Sequence, residues 1–475
     1  MTVMICSQAF AATERDLNAD SYFAARMAEF EDRDADALVN YSKLFKAEPA
    51  SSALAERLYQ NAILQGDMPS ALRAVRALEL QNETDATAPL LLFADAFKRR
   101  AWRDAEIALL ELEAKSNFGF IAPVMRAWVN VAQGKPHSFD KLAARSNPLL
   151  NYYSEDQLVY LELATENISA AKLLQNNFRN IENDFARDLI IRTAPIFAAN
   201  GQTDFARNML SGSVDPEFAA GLLATGKNSQ SRLSPNEGVA TIFTRFTAAL
   251  IEQNAFEQAL TMARIANWLD SKSTPAQLAL SKTLYAMDRN NAGYELLDNI
   301  SPFSPYGPQA AAEKMRRLSN AGRNKDALLV VQAQARRYPN STRATLTLAQ
   351  AYEQQGDFVQ AIQSYRSLIT LADKAKEPPR RRAYYLLYLA TAADKSGKWN
   401  EARQFLNEAN ILDPNNSFIL NYLGFTLLER REDIPQAIEL VKRAYQLSPD
   451  SAAIADSLGW GIFFNWQLST VGFLA

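Results

Sequence analysis

The chain has 475 residues, 48% of them apolar, with 50 Lys and Arg against 53 Asp and Glu for a formal charge of −3. That composition supports a substantial core and argues against a nucleic-acid surface, which carries a clear basic excess. One cysteine, Cys6, and one histidine, His137, exclude an internal disulfide framework and a Cys/His zinc site, and leave any Ser-His-Asp or Cys-His group one histidine to use.

Met1 to Ala12 reads MTVMICSQAFAA, with Ala9-Phe10-Ala11 in the small-x-small form that precedes a signal-peptidase cut. A basic leader and most of an apolar stretch are missing. Residues 1–17 are therefore expected to be either the remnant of an export signal, which places the protein in the periplasm, or a disordered N-terminus, which allows the cytoplasm. No run of about 18 uncharged apolar residues occurs, so no transmembrane segment is expected.

Residues 18–225 read as an irregular helical array. Asp36-Ala37, Tyr41 and Pro49, then Gly66-Asp67 with Ala71, and Gly201 with Ala206 mark helix pairs, and Pro89 to Leu112 and Tyr152 to Asn177 carry partial signatures. His137 follows Gly134-Lys135-Pro136 and is expected in a turn, exposed to solvent. Residues 226–239, rich in Gly, Ser, Asn and Pro, predict a long loop. Asn254-Ala255-Phe256 with Ala259 marks a further pair. Ser301 to Pro308 reads as a rigid connector, and Gly322, Ala327 and Pro339 outline the next unit.

Over 240–460 the repeat becomes regular. Leu348-Ala349, Leu389-Ala390, Leu423-Gly424 and Leu458-Gly459 recur in apolar helical segments, the last three pairs 34 and 35 residues apart. Each of the first three is followed by a turn and then by a second helix with Ala361, Ala402 or Ala437. Two antiparallel helices joined by a tight turn occupy about 34 residues, and the small residue in each lets the pair approach closely. No period-2 strand pattern stands out, so the fold class is all-α, a helix-turn-helix solenoid.

The positional recurrence resembles the tetratricopeptide repeat (TPR). Leu420 to Phe425 and Asp456 to Trp460 are similar to the LNYLGY and DSLGW signatures of a long bacterial TPR family typical of alphaproteobacteria and commonly expected to be exported. Asp20 to Arg26 and Ser301 to Tyr306 add to the likeness, which spans about residues 18–460. It implies a right-handed superhelix acting as a non-catalytic scaffold, with no cofactor and no metal, that binds a protein or peptide partner. The chain departs from the family after Trp460: residues 461–475 form an atypical apolar tail with no recognisable second helix. That departure predicts either a docking or self-association tail or an end cut short.

In the TPR fold the first, or A, helix of each pair lines a concave groove through its second, fifth and ninth positions. The resemblance thus nominates Arg343, Leu346 and Gln350; Tyr384, Leu387 and Thr391; Phe418, Asn421 and Phe425; and Ala453, Asp456 and Trp460. A peptide could stack on Tyr384, Phe425 and Trp460, while the Asn421 amide both donates and accepts. The Lys and Asn of a chaperone-type carboxylate clamp are absent from the fifth and ninth positions. Arg380-Arg381-Arg382 beside Tyr384, Tyr385 and Tyr388 is expected to be a solvated helix start rather than a nucleic-acid patch. An enzyme built on such a superhelix would need a pocket with paired carboxylates.

Overall fold

Helix-start chemistry recurs along the computed structural model, which describes residues 19–137, 139, 146–178, 184–211, 214–225 and 231–471 (of 217, 225 and 464–471, the backbone only). Ala9 to Ala11 and Cys6 lie outside the described residues. Ser51, Asp67, Asn147, Ser273, Ser341, Asp357 and Asn416 each cap a helix by accepting a backbone N–H two or three positions on. Gly356 and Gly397 end A helices at φ 76° and 81°, a conformation that glycine reaches without Cβ strain.

The helices follow in order. They are residues 19–30 (α1), Asp34–Ala47 (α2), Ser52–Gln65 (α3), Met68–Leu80 (α4), Ala88–Lys98 (α5), Trp102–Lys115 (α6), Ala122–Ala132 (α7), Pro148–Ala164 (α8), Ile168–Gln175 (α9) and Asp184–Ala199 (α10). Next come Thr203–Leu210 (α11), Pro216–Thr225 (α12), Pro235–Glu252 (α13), Phe256–Leu269 (α14), Thr274–Ala286 (α15), Asn290–Asp298 (α16), Gly307–Asn320 (α17) and Asn324–Arg337 (α18). The regular repeats are Thr342–Gln354 (α19) with Phe358–Ala375 (α20), Pro379–Lys395 (α21) with Trp399–Leu412 (α22), and Ser417–Arg430 (α23) with Ile434–Leu447 (α24); Ala452–Val471 (α25) follows. Among the described residues there is no strand, and no helix is long and apolar enough to cross a membrane.

Three expectations are corrected. Within the expected loop 226–239, residues 235–239 are helical: Ser234 and Glu237 form a reciprocal capping box and Pro235 occupies the first turn, so the polar run is a helix start. Gly238 serves packing rather than a turn, since a Cβ there would lie 2.1 Å from the buried Trp128 ring. The apolar tail is helical through residue 471, because α25 runs on past Gly459 and Gly461 without a break. Third, His137 is largely covered. Its Nε2 stands 3.4 Å from Glu162 Oε1, because the turn after Gly134 folds back onto the end of α8.

The packing forms two compact units that do not follow the chain as two blocks: residues 1–202 with 228–300, and residues 203–227 with 301–475. Segments distant in the chain pack together inside each unit. In unit 1, Arg289 bonds both carboxylate oxygens of Asp34, at 2.7 and 3.2 Å. Arg264 donates to the α3 carbonyls of Ile63 and Leu64, and Lys98 donates to the Trp268 carbonyl. Arg245 pairs with the fully buried Asp156, whose neighbour Gln157 links Trp128 Nε1 to Thr241. In unit 2, Asp215, just ahead of α12, accepts from Ser341 Oγ (2.6 Å) and Thr342 N (3.1 Å) at the start of α19.

Candidate interaction surfaces

In unit 2 the A and B helices of the regular repeats share one core: Ala349, Ala361 and Tyr365; Ala390, Ala402 and Leu406; Leu423, Ala437 and Val441. The small residues bring the backbones together and the larger ones fill the layer between repeats. This packing fixes the rotation of each A helix. Residues three and four apart then share a face, so the nominated positions form a row on each helix.

The row divides by burial. Leu346 and Leu387 pack against the core, and the Thr391 hydroxyl bonds the Leu387 carbonyl of its own helix at 2.9 Å. Tyr384, Phe418 and Trp460 are 38%, 59% and 43% exposed. Arg343, Gln350, Asn421 and Phe425 are half-buried, and Ala453 and Asp456 are exposed. The Asn421 side-chain carbonyl is shielded from water and accepts no hydrogen bond from the described residues. Around the row, polar ties lock one A helix to the next. Glu353 accepts from Lys395 Nζ (2.8 Å) and Tyr365 OH (2.9 Å), and Asp394 accepts from Arg430 (2.5 Å) and Tyr422 OH (3.2 Å). Burial and the Asp394 charge push the Tyr422 phenol up to about 12. These ties were missed from the sequence. Their 42- and 36-residue separations, close to the repeat period, are the signal that could have found them.

The Arg380 to Arg382 run is a paired helix start. Arg382 reaches Asp373 at 2.9 Å and Glu408 at 2.5 Å, and Arg381 stands 3.7 Å from Glu377.

Unit 1 holds a cavity of about 340 Å³ lined by Glu29, Asp34, Asp85 and Glu257 with Tyr59 and Arg289 among others. Three of its carboxylates are engaged in structure. Asp34 is paired with Arg289, Glu29 with Arg26 and the Asn61 amide, and Asp85 accepts the Thr87 and Ala88 backbone N–H groups. Burial raises the Asp34 carboxyl despite Arg289. No group of three metal-ligating side chains occurs among the described residues.

No protein-family model matches the chain. A TPR repeat-containing protein of Pseudomonas aeruginosa is 26% identical over 187 residues, which is 39% of this chain and 25% of that relative. The chain thus matches about a quarter of the length of that curated relative. Among solved structures, yeast Tom70 is 13% identical with a TM-score of 0.45, covering 96% of this chain and 97% of that one. YrrB, a TPR protein described as having an unusual peptide-binding site, is 15% identical with a TM-score of 0.27 over 38% of this chain and 91% of its own.

Proposed function

We propose that the A-helix face of unit 2 is a docking surface for a protein or peptide, and that the protein works as a non-catalytic scaffold. The observation that carries this reading is the row of exposed and half-buried aromatic residues, Tyr384, Phe418 and Phe425 on α21 and α23, which Glu353–Lys395 and Asp394–Arg430 lock to α19 and to each other, with Trp460 on the following α25. A surface held in place before binding loses little entropy on association, so a few aromatic anchors suffice for affinity. In the unit 1 cavity, Asp34, Glu29 and Asp85 serve as ion-pair and cap acceptors, which withdraws these three carboxylates from acid–base work.

The test is crosslinking and capture from native cells, comparing the wild type with a Tyr384→Ala/Phe425→Ala double variant. Defined partners lost from the variant support the face; the same partners retained by it reject the face. The compartment of those partners tests the periplasmic reading at the same time.

A further inference from the structure

We infer that the cavity of unit 1 is a binding site for an organic cation, an ammonium group carried on an aliphatic stem. The cavity lies wholly within unit 1, so this inference does not depend on the docking face of unit 2.

At about 340 Å³ the cavity has the size of a small-molecule site, walled by α3, α4 and α14 with the turns around Asp85 and Arg289. Its floor is apolar, formed by the buried side chains of Ile63, Val75, Leu78 and Leu260. The hydrogen-bond donors set into the wall are already used inside the protein. The Asn61 amino group donates to Glu29 Oε1 and to the Arg57 carbonyl, each at 2.9 Å. The Thr261 hydroxyl donates to the Glu257 carbonyl at 3.3 Å, and Arg289 is held by Asp34 and Asp32. Ionised Asp85 can only accept, so the single Thr87 hydroxyl proton goes to it, at 2.8 Å. The proton in the 3.2 Å contact between Thr87 and Tyr59 is therefore that of Tyr59, whose oxygen is left to accept. Burial, and then the Asp85 charge, raise the Tyr59 phenol, so it stays neutral.

What remains open is a set of acceptors. Asn61 is 4% exposed and lines the cavity, and its Oδ1 accepts no hydrogen bond from the described residues. The three bonds to the Asp85 carboxylate all fall on Oδ1, which leaves Oδ2. Glu83 and Glu257 stand exposed at the edge and pair with no cation among the described residues. Two of these acceptors, Asn61 and Tyr59, are neutral and more than nine-tenths buried, so the wall asks for N–H donors as well as for positive charge. An ammonium group supplies both, with three donors and no acceptor. The floor asks for an alkyl stem, which an inorganic cation lacks. A free aliphatic amine and the lysine side chain of a peptide share this chemistry.

Calorimetric titration of the full chain with 1,5-diaminopentane, with acetyl-Gly-Lys-Gly-amide and with the neutral isostere 1,5-pentanediol tests the assignment. Saturable one-to-one binding is expected for the diamine or the peptide and none for the diol; the tighter of the two names the source. The double variant Glu83→Gln/Glu257→Gln should weaken that binding roughly tenfold and Tyr59→Phe roughly threefold. Glu155→Gln/Glu252→Gln, which removes two exposed carboxylates of unit 1 outside the cavity, should leave it unchanged. Both double variants should melt with the wild type. No saturable binding of either cation overturns the inference. So does diol binding equal to that of the diamine, or equal weakening by the two double variants, which would reduce the effect to surface charge.

Discussion

In unit 1, residues far apart in the sequence meet: Arg264 reaches α3 across 201 positions and Arg289 reaches Asp34 across 255. In unit 2, Asp215 apart, the ties described join neighbouring repeats, Glu353 to Lys395 and Asp394 to Arg430. The same helix pair thus builds a unit that closes on itself and one in which each repeat leans on the next. A closed unit spends its polar side chains internally and should unfold as a whole. A nearest-neighbour array distributes its stability repeat by repeat and leaves a face for others.

The largest expected effect tests that contrast. Arg245→Met leaves Asp156 buried without its charged partner and should cost about 3–5 kcal/mol, read as a loss of hydrogen-exchange protection throughout unit 1, α3 included. Leu406→Ala should cost about 2–5 kcal/mol at a fully buried position, with the loss concentrated in α21 to α24. Equal spread of the two losses would break the comparison. Gly424→Leu forces side-chain bulk against Val441 and should destabilise by about 1–3 kcal/mol, whereas Gly459→Ala should raise local helix stability by up to about 1 kcal/mol; thermal melts of both variants check the pair.

Acid should separate the units in a defined direction. Burial raises the folded-state carboxyls of Asp34 and Asp156 despite their arginine partners, so on this count the folded unit 1 binds protons more tightly and gains as pH falls. For Glu313 in unit 2, burial opposes ionisation, but hydrogen bonds from Arg316 and Arg317 outweigh it and hold the carboxyl below its ordinary value. That stabilisation is present above the unfolded carboxylate pKa of about 4.3 and is lost as pH falls through the lower folded value. Pulsed hydrogen exchange after urea exposure at pH 6 and pH 3.5 should show α17 losing protection relative to α8; the reverse order would contradict the assignment. The smallest stability effect belongs to Tyr384→Ala with Phe425→Ala, where a melting shift equivalent to more than about 1 kcal/mol would mark these aromatics as core rather than docking residues.

Local signals gave the repeats their legibility. Ala361, Ala402 and Ala437 sit where close helix approach requires them, and the turn glycines Gly356 and Gly397 hold the positive φ expected of tight A-to-B turns. The closure of unit 1 was hidden, because no local pattern announces that Arg289 meets Asp34 or that Gly238 makes room for Trp128. The capping box at Ser234 and Glu237 is a local signal of a helix start, set within a run whose polar composition points to a loop. Of the nominated face, the spacing selected one side of each helix. It could not separate Leu346 and Leu387, which join the core, from Tyr384 and Phe418, which remain exposed, because burial depends on the neighbouring repeat.

The most direct measurement places a photo-crosslinking amino acid at Tyr384, Phe425 or Trp460 of the full chain, and for comparison at Ile411, an exposed apolar position on a B helix. Irradiation in native cells should join the first three positions to the same partner segment and leave position 411 without that product. Crosslinking from position 411 alone, or equally from all four, would contradict the central claim that the A-helix face of unit 2 is where this protein binds others.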